Sequence, residues 1–400
     1  MSIHVMHVTT VPQTLHFFRG QVGYLKRHGF EVTVVSSPGT ALDRFARLER
    51  VRALAVPMSR RITPLADLVS LWRLVRVLVR HKPDIVHSHT PKAALLGTIA
   101  ARLTGRRAVL SIFGLPQVTR GRLARLVLNG KTRLECALAH RVWCDSFSNR
   151  DVLITHKLCR ADKIVVLGHG SVGGVDAVGV FNVARFSAEH RRVGKRTWLI
   201  PTEAPVIGYV GRIVRDKGIN ELGRAWQALR QRYPGLHLLI VGDPEPTDPI
   251  EPEIDSRLRA DPRVHLTGHQ DDVAPLFALM DLYVMPSHRE GFGVSNVEAA
   301  ALAVPVVATR IPGCIDSVAD GTTGTLVPPR DAAALTEAII RYLDDPALRR
   351  RHGEAGRRRV LAEFVPQRIW SELADLYHAV LPDRTERAAR APIPFSRRGR

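Results

Sequence analysis

Residues 205–233, "PVIGYVGRIVRDKGINELGRAWQALRQRY", contain a clear strand–loop–helix pattern. It opens with a short apolar run, passes through a loop with glycines and basic side chains, and continues with apolar residues at helical spacing. A buried strand, a short loop and an amphipathic helix form the βα unit of a parallel sheet. A series of such units precedes residue 205 and a second series starts there, so the sequence predicts two α/β domains in tandem.

Apolar runs that predict strands recur along both halves of the chain. In the first half they are "IHVMHV" (3–8), "EVTVVSS" (31–37), "DIVHSH" (84–89), "AVLSIFG" (108–114), "RVWCDS" (141–146) and "KIVVLG" (163–168). In the second half they are "PVIGYVG" (205–211), "HLLIVGD" (237–243), "VHLTGH" (264–269), "DLYVMPS" (281–287), "PVVATR" (305–310) and "GTLVPP" (324–329). Helical patterns lie between them, which indicates two doubly wound, Rossmann-like domains.

The domain limits follow from length and composition. A chain of 400 residues suits two domains. We expect a first domain at 1–180, a linker at 181–204 and a second domain with the C-terminal helices at 205–382. The basic stretch 383–400 has too little apolar content to fold and is expected to be disordered. Open α/β sheets bind ligands at the carboxyl ends of their strands, so a cleft between the two domains is the expected site.

The positive charge is unevenly distributed. The net charge is +20, yet residues 1–180 contain 27 Lys and Arg against 10 Asp and Glu, whereas residues 201–382 contain 20 against 25. The excess therefore points to an anionic partner of the first half. Nucleic acid is one such partner, but the sequence has neither a recognisable reader module nor interleaved aromatic residues, and the second half is acidic. We expect no nucleic-acid binding.

The sequence also indicates a cytoplasmic location. It has no apolar run near the ~18–20 residues of a membrane span. Its start, "MSIHVMHVTTV", is typical of a buried strand and lacks the features of a signal peptide. The four cysteines have no C-x-x-C spacing and are expected to be reduced, buried thiols; they are Cys136, Cys144, Cys159 and Cys314.

The loop "GRIVRDKG" (211–218) is a candidate phosphate site. It carries Arg212, Arg215 and Lys217 directly before a helix expected to begin near Asn220. Free backbone N–H groups and a partial positive charge at a helix start favour a bound anion, and added cations suit a diphosphate. Gly211 lets the backbone approach a ligand. A basic surface loop without a ligand explains the same residues equally well.

The stretch "HREGFGVSNVE" (288–298) follows the next predicted strand end. Ser295 and Glu298 have the spacing of a capping box, in which each side chain bonds the other residue's backbone amide. Glu290 has no comparable structural explanation, because it stands between a strand end and a glycine. A carboxylate there suits hydrogen bonds to hydroxyl groups better than contact with a phosphate.

Together, "VGRIVRDKG" and the E-x7-E motif "EGFGVSNVE" resemble the retaining nucleotide-sugar glycosyltransferases of family 4, which have the GT-B fold. Further similar segments are "GHGSVGGVDAVGVFN", "HTPKAALLG" and "HFFRGQVGYLKRHGFEVTVVSS". The similarity extends to about residue 380. It is greatest to bacterial enzymes that build capsule, exopolysaccharide and lipid-linked glycans.

The resemblance implies roles for residues of both motifs. Arg212 and Lys217 would neutralise the donor diphosphate in place of a metal ion, in keeping with the absence of a DxD-type motif from the sequence. Glu290 would contact the hydroxyls of the donor sugar, and Glu298 those of the ribose. The other implied donor-binding residues are Gly211, Gly268, His269, Gly291, Phe292, Gly293 and Val294, with Gly268 and His269 near the base. No cofactor is implied.

The first half would then supply the acceptor side. His87 and His89 follow the strand "DIVHSH", and His89, directly before "TPKA", matches the loop of the family as a catalytic candidate. A histidine that only bonds backbone at a strand end is the alternative. Many relatives have a histidine after the next strand, where this chain has Phe113.

Two amphipathic stretches concentrate the basic residues, "SRRITPLADLVSLWRLVRVLVRHK" (59–82) and "TRGRLARLVLNGKTRLECALAHR" (119–141). They are typical either of helices lying on anionic lipid or of ordinary helices packed on a sheet. The family resemblance implies a retaining transferase that moves a hexose-type sugar from a UDP-sugar, and with these basic stretches we expect the acceptor to be a lipid-linked or growing glycan at the cytoplasmic membrane face. Alternatives are glycosylation of a natural product, a sugar-nucleotide epimerase of similar shape, and nucleic-acid binding.

Overall fold

The computed structural model describes residues 2–61, 63–119 and 121–381. The stretch 383–400, expected to be disordered, lies outside the described residues. Within the described ranges, no helix is both long enough and apolar enough to cross a membrane.

The four cysteines are free thiols, of which Cys159 is half-buried and the other three are buried.

The strands form two parallel sheets, one in each half. Those of the first sheet are β1 (Ile3–Val8), β2 (Phe30–Ser36), β3 (Arg52–Ala55), β4 (Ile85–Ser88), β5 (Arg107–Ile112), β6 (Arg141–Cys144) and β7 (Ile164–Val166). Those of the second are β8 (Val206–Val210), β9 (His237–Val241), β10 (Val264–Leu266), β11 (Leu282–Met285), β12 (Val306–Thr309) and β13 (Gly324–Val327). Each predicted apolar run is confirmed as a strand. The sequence reading missed β3, whose side chains are half-buried or exposed, so it lacks the apolar signal.

The strand order explains where a ligand can bind. It is β3-β2-β1-β4-β5-β6-β7 in the first sheet and β10-β9-β8-β11-β12-β13 in the second. From β1 the next strands, β2 and β3, extend the sheet to one side, and β4 to β7 extend it to the other. The second sheet does the same from β8, so the direction of winding reverses between β1 and β4 and between β8 and β11. Such switch points leave a crevice at the carboxyl ends of the strands. Two doubly wound domains were predicted, and the structure has them.

The helices connect successive strands and cover both faces of each sheet. They are α1 (Gln21–Arg27), α2 (Thr40–Glu49), α3 (Pro64–His81), α4 (Pro91–Leu103), α5 (Arg122–Leu138), α6 (Phe147–Thr155), α7 (Ala188–Thr197), α8 (Ile219–Arg232), α9 (Pro252–Ala260), α10 (Ala274–Phe277), α11 (Val294–Ala301), α12 (Cys314–Ser317), α13 (Ala332–Asp344), α14 (Pro346–Glu363) and α15 (Pro366–Val380). Short 3-10 helices are Pro12–Phe18, Pro116–Thr119, Ala161–Lys163, Val183–Arg185 and Arg215–Lys217.

The last helix, α15, packs on the first domain. We expected it with the second domain because it follows the last strand of that domain in sequence. Its buried residues Ile369, Leu373 and Tyr377 instead join the core beneath β1 and β2. The Tyr377 hydroxyl also lies 2.7 Å from Nδ1 of His87. The C-terminal segment therefore returns to the N-terminal half and ties the domains together.

The expected linker at 181–204 is folded. It contains α7, and the side chains of Phe181, Phe186 and Ile200 are buried in the core of the second sheet. Packing of these apolar residues makes most of the segment part of the second domain.

The two domains meet at the start of α6. The Oγ of Ser146 donates to the carbonyl of Gly291 at 2.8 Å, and Nδ2 of Asn149 donates to the same carbonyl at 2.6 Å. The carboxylate of Asp316 accepts hydrogen bonds from the backbone N–H groups of Phe147 at 3.0 Å and Ser148 at 3.3 Å. An anionic side chain at a helix N-terminus is favourable. These contacts hold the loop before α11 against the first domain.

Candidate active site

Two helix starts lie side by side in the second domain because β8 and β11 are paired neighbours. Gly218 at the start of α8 has φ of +73°, and Gly293 at the start of α11 has φ of +76°. A β-carbon at Gly218 would collide with the backbone carbonyl of Pro286 at the end of β11. The loop 211–218 therefore passes directly over the start of the loop 286–293, so the two sequence motifs form one site.

A lysine–glutamate pair joins the two loops. Nζ of Lys217 lies 2.5 Å from Oε1 of Glu290, and the Ser287 hydroxyl donates to the same oxygen at 2.7 Å. The lysine and glutamate side chains are both largely buried. Sequence reasoning assigned these residues to opposite ligand groups, phosphate and sugar, and the structure shows that they contact each other. A cation and a carboxylate that accepts hydrogen bonds thus lie next to each other at the strand ends.

Arg212 lies at the outer edge of this site. Its side chain is half-exposed and ion-paired with Glu245, and its backbone carbonyl accepts a hydrogen bond of 2.8 Å from the Tyr209 hydroxyl. Glu245 also lies 3.9 Å from a guanidinium nitrogen of Arg60 in the first domain. The guanidinium of Arg212 is thus held near the cleft but remains open to solvent on one side.

The start of α11 differs from the prediction for Glu298. The helix begins at Val294, one residue before Ser295, and its N-cap is Gly293, which has no side chain to cap it. The predicted capping box is therefore wrong, because Ser295 already lies within the helix. Burial raises the pKa of the Glu298 carboxyl to about 7. The capping box was the alternative to a ligand-binding role for Glu298. Without it, the half-buried carboxyl with a raised pKa is a candidate for ligand binding.

The loop 291–294 is tightly packed. The ring of Phe292 is buried against Phe364, with ring centroids 5.4 Å apart. A β-carbon at Gly291 would lie 2.9 Å from the carbonyl carbon of Phe113 in the first domain. Val294 is half-buried at the first position of the helix. Backbone amides here, rather than side chains, are in position to meet a ligand at the helix N-terminus.

Gly268 and His269 follow β10, on the same edge of the sheet but two strands away from β8. The Gly242 amide donates to the Gly268 carbonyl at 2.9 Å, and the His269 amide donates to a carboxylate oxygen of Asp243 at 3.0 Å. Gly268 has φ of +68°, and the His269 side chain is largely exposed. The turn lies at the same edge of the sheet as Lys217 and Glu290, so the distal end of an extended ligand can lie there.

His89 lies in a buried hydrogen-bonded chain in the first domain. Its Nδ1 is 2.9 Å from the Ser111 hydroxyl, and its Nε2 is 2.9 Å from Nδ1 of His7. His87 lies 2.8 Å from the same hydroxyl. Burial keeps the pKa of all three histidines low, so they are neutral.

The same three histidines could hold a metal ion by their spacing, since ligand atoms of His7, His87 and His89 lie within 4.8 Å of one another. Every ring nitrogen except Nε2 of His7 already has a hydrogen-bond partner among the described residues, however. The chain of hydrogen bonds accounts for this cluster without a metal.

Phe113 occupies the position where histidine was expected from the family. Its ring packs edge-on against Trp143, with centroids 5.1 Å apart, and lies 6.3 Å from the His89 ring. The side chain at this position is therefore apolar and packs against aromatic rings of the first domain.

Sequence reasoning missed the residues of the first domain that contact the loop before α11. Asp145, Ser146 and Asn149 follow the end of β6 in "CDSFSN". Their signal was a run of polar residues directly after a buried strand. It was missed because the sequence does not reveal which strand end faces the other domain.

Comparisons with known proteins agree with this architecture. The family model "Glycosyltransferase Family 4" matches residues 19–170, and the model "Glycosyl transferases group 1" matches residues 191–359. The first match falls in the first domain, and the second covers both motifs that form the site.

Individual relatives match over nearly the full length. The chain is 34% identical to the capsular polysaccharide biosynthesis glycosyltransferase CapM of Staphylococcus aureus, over 95% of this chain and 98% of CapM. It is 32% identical to a GDP-mannose-dependent alpha-mannosyltransferase of Mycolicibacterium smegmatis, over 92% of this chain and 94% of that protein.

A solved structure shows the same fold. HepE of Anabaena, crystallised in complex with UDP, superimposes with a TM-score of 0.75 at 20% identity, over 95% of this chain and 100% of HepE. With the two full-length relatives, the two family models and the paired Rossmann-like domains, the chain belongs to the family 4 glycosyltransferases and has the GT-B fold.

Proposed function

We propose that this glycosyltransferase is a retaining enzyme. It transfers a hexose-type sugar, with or without an N-acetyl group, from a UDP-sugar to a lipid-linked or growing glycan at the cytoplasmic face of the membrane. The similarity to CapM supports a place in the biosynthesis of a capsule or another cell-surface glycan.

The contact between Lys217 and Glu290 is the single observation that carries the donor assignment. In the free protein each neutralises the other at 2.5 Å. When a nucleotide sugar binds, the lysine ammonium can turn to the diphosphate while the carboxylate accepts hydrogen bonds from sugar hydroxyls. The half-exposed guanidinium of Arg212 and the backbone amides at the start of α11 then add positive potential on the side of the diphosphate.

The chemistry follows from where charge develops. Cleavage of the glycosyl–phosphate bond moves an electron pair onto the leaving diphosphate and leaves positive charge on the sugar ring. Cations fixed beside the leaving group lower this barrier and need no reorganisation during the reaction. The acceptor hydroxyl attacks the anomeric carbon from the side that the diphosphate leaves, and its proton passes to a leaving phosphate oxygen. In this proposal Arg212 and Lys217 make a metal ion unnecessary.

An exposed apolar and basic face of the first domain supports a membrane-bound acceptor. Helices α3 and α5 flank α4 on one side of the sheet, and seven apolar side chains on them are exposed over more than half of their surface: Leu65, Leu68, Trp72, Val79, Leu123, Leu126 and Val127. The guanidinium of Arg76 lies 4.7 Å from the Trp72 ring centre. An exposed mixture of leucine, tryptophan and arginine suits the interface of an anionic bilayer.

The donor can be tested by thermal-shift and calorimetric titration with UDP-, GDP- and ADP-sugars. A true donor stabilises the protein by RT ln(1 + [L]/Kd), so a UDP-sugar should give the largest shift. Glu290→Ala should remove the additional shift that the sugar gives over UDP. A larger shift with GDP-mannose, the donor in the name of the mycobacterial relative, would contradict the proposed base. Assay of the product anomer by NMR then tests retention, and undiminished transfer in EDTA tests metal independence.

A further inference from the structure

An unexplained carboxyl group lies between the domains. Asp145 directly follows β6 and is only 1% exposed. Neither carboxyl oxygen has a hydrogen-bond partner among the described residues. A buried polar group without a partner is destabilising, so the stability of the fold does not explain this carboxyl and a functional role is expected.

The carboxyl faces the donor loop of the second domain. A β-carbon on Gly291 would collide with Oδ2 of Asp145, so this oxygen lies directly against the glycine that follows Glu290. The surrounding groups come from both domains. Gly114 approaches Gly291 on one side, and Gly170 approaches the ring of Phe292 on the other.

Two other carboxyl groups act on Asp145. Burial raises the pKa of Asp145 well above the ordinary aspartate value, and the nearby carboxylates of Asp316 and Glu290 raise it further. Glu290 is paired with Lys217, and Asp316 accepts bonds from the amides at the start of α6. The backbone of Asp145 itself and the Ser146 hydroxyl offset this rise in pKa only in part. Within the described residues neither carboxyl oxygen of Asp145 has a hydrogen-bond partner, so the neutral acid is favoured. A neutral carboxylic acid offers one O–H donor and several acceptor sites.

We propose that Asp145 is a residue of the donor-sugar site supplied by the first domain, and that it exchanges hydrogen bonds with a sugar hydroxyl beside Glu290. The inference rests on the proposed function and names a further specificity-determining residue of the same site. A hydroxyl group both donates and accepts, as the neutral acid does. A diphosphate is the less suitable ligand, since the charged groups that act on Asp145 are the carboxylates of Asp316 and Glu290, which would repel it.

The position also links sugar recognition to domain contact. Glu290 reaches the sugar from the second domain and Asp145 from the first, and the hydrogen bonds of Ser146 and Asn149 to the Gly291 carbonyl hold the two together. A donor whose hydroxyl bonds both carboxyl groups favours the closed arrangement of the domains. UDP alone, which has no sugar, cannot do so.

The experiment compares Asp145→Ala, Asp145→Asn and the matched control Asp151→Ala, which removes an exposed carboxyl from α6 of the same domain. Calorimetry measures Kd for UDP, UDP-glucose, UDP-N-acetylglucosamine, GDP and GDP-mannose. In Asp145→Ala we expect about threefold to tenfold weaker binding of the sugar nucleotide that the wild type prefers, the size of one or two hydrogen bonds. The Kd of its nucleoside diphosphate should stay within about twofold. Asparagine keeps a donor and an acceptor and should restore most of the affinity.

The unfolding midpoint of the free protein gives a second measurement. If the carboxyl lacks a partner until the sugar binds, Asp145→Ala should unfold at the same temperature as the wild type or higher. A clearly lower midpoint, or equal losses for the sugar nucleotide and its nucleoside diphosphate, would overturn the proposal, as would unchanged affinity in Asp145→Ala. Failure of the wild type to bind any of these sugar nucleotides would instead refute the proposed donor site on which the inference rests.

Discussion

Replacement of Lys217 by methionine separates stability from catalysis. Methionine keeps most of the length of the side chain and removes the ammonium group that pairs with Glu290. In the free protein the change breaks an ion pair in which the lysine side chain is 21% exposed and the glutamate side chain 11% exposed. In the proposed reaction it removes a cation from the leaving diphosphate.

The two effects differ in size. Loss of one charged partner from a hydrogen-bonded pair costs about 1.5–3 kcal/mol. We expect about 2 kcal/mol here, since Glu290 keeps its bond to Ser287 and both groups retain some contact with water. Loss of a group that stabilises transition-state charge costs about 100- to 1,000-fold in kcat. Lys217→Met should therefore remain folded at 25 °C and be nearly inactive.

The chain offers a matched control. Nζ of Lys131 also lies 2.5 Å from a glutamate oxygen, that of Glu135, with side chains 28% and 5% exposed. Lys131→Met should lose a similar amount of stability but keep its activity, because this pair lies in α5 of the first domain. Urea unfolding gives the free energies, and a steady-state assay of donor cleavage gives kcat.

Two results would refute this reasoning. One is a Lys217→Met enzyme that keeps more than about a tenth of the wild-type kcat, since a group at the leaving diphosphate is worth far more. The other is an equal loss of kcat in Lys131→Met, because stability rather than the diphosphate contact would then explain both variants.

Three further predictions follow from burial. Burial raises the pKa of Glu298 to about 7, so the folded protein prefers the protonated carboxyl. The free energy of unfolding therefore falls as the pH rises from about 4.5 to 7. Glu298→Gln should be more stable than wild type by up to about 3 kcal/mol in urea unfolding at pH 8, with little difference near pH 4. Replacing the exposed Leu123 and Leu126 by glutamate should abolish flotation with anionic vesicles and leave the unfolding midpoint unchanged; absence of flotation by the wild type would contradict the membrane proposal. Leu373→Ala, in the part of α15 that packs on the first domain, should cost about 2–5 kcal/mol and speed hydrogen exchange in β1 and β2, whereas Leu361→Ala on the exposed face of α14 should cost under about 0.5 kcal/mol.

Much of the architecture could be predicted because its signals are local. The runs "IHVMHV" and "DLYVMPS" are apolar over a strand length, so burial between two helix layers follows from composition. The order of strand, loop and helix also predicted that the loop 211–218 and Glu290 would stand at strand ends. Strand β3 could not be predicted because its side chains are half-buried or exposed and give no apolar run. The start of α11 could not be predicted because its cap is a glycine, which has no capping side chain.

Apolar periodicity and charge are properties of neighbouring residues, so the sequence alone predicted the two α/β domains, the basic first half and the two motifs of the proposed donor site. The folded structure was needed to show that Lys217 contacts Glu290, that α15 packs on the first domain, and that Asp145 lies against Gly291. Each of these contacts joins residues far apart in the chain. Their geometry depends on how crossover helices and two domains pack together, which no local pattern of residues specifies.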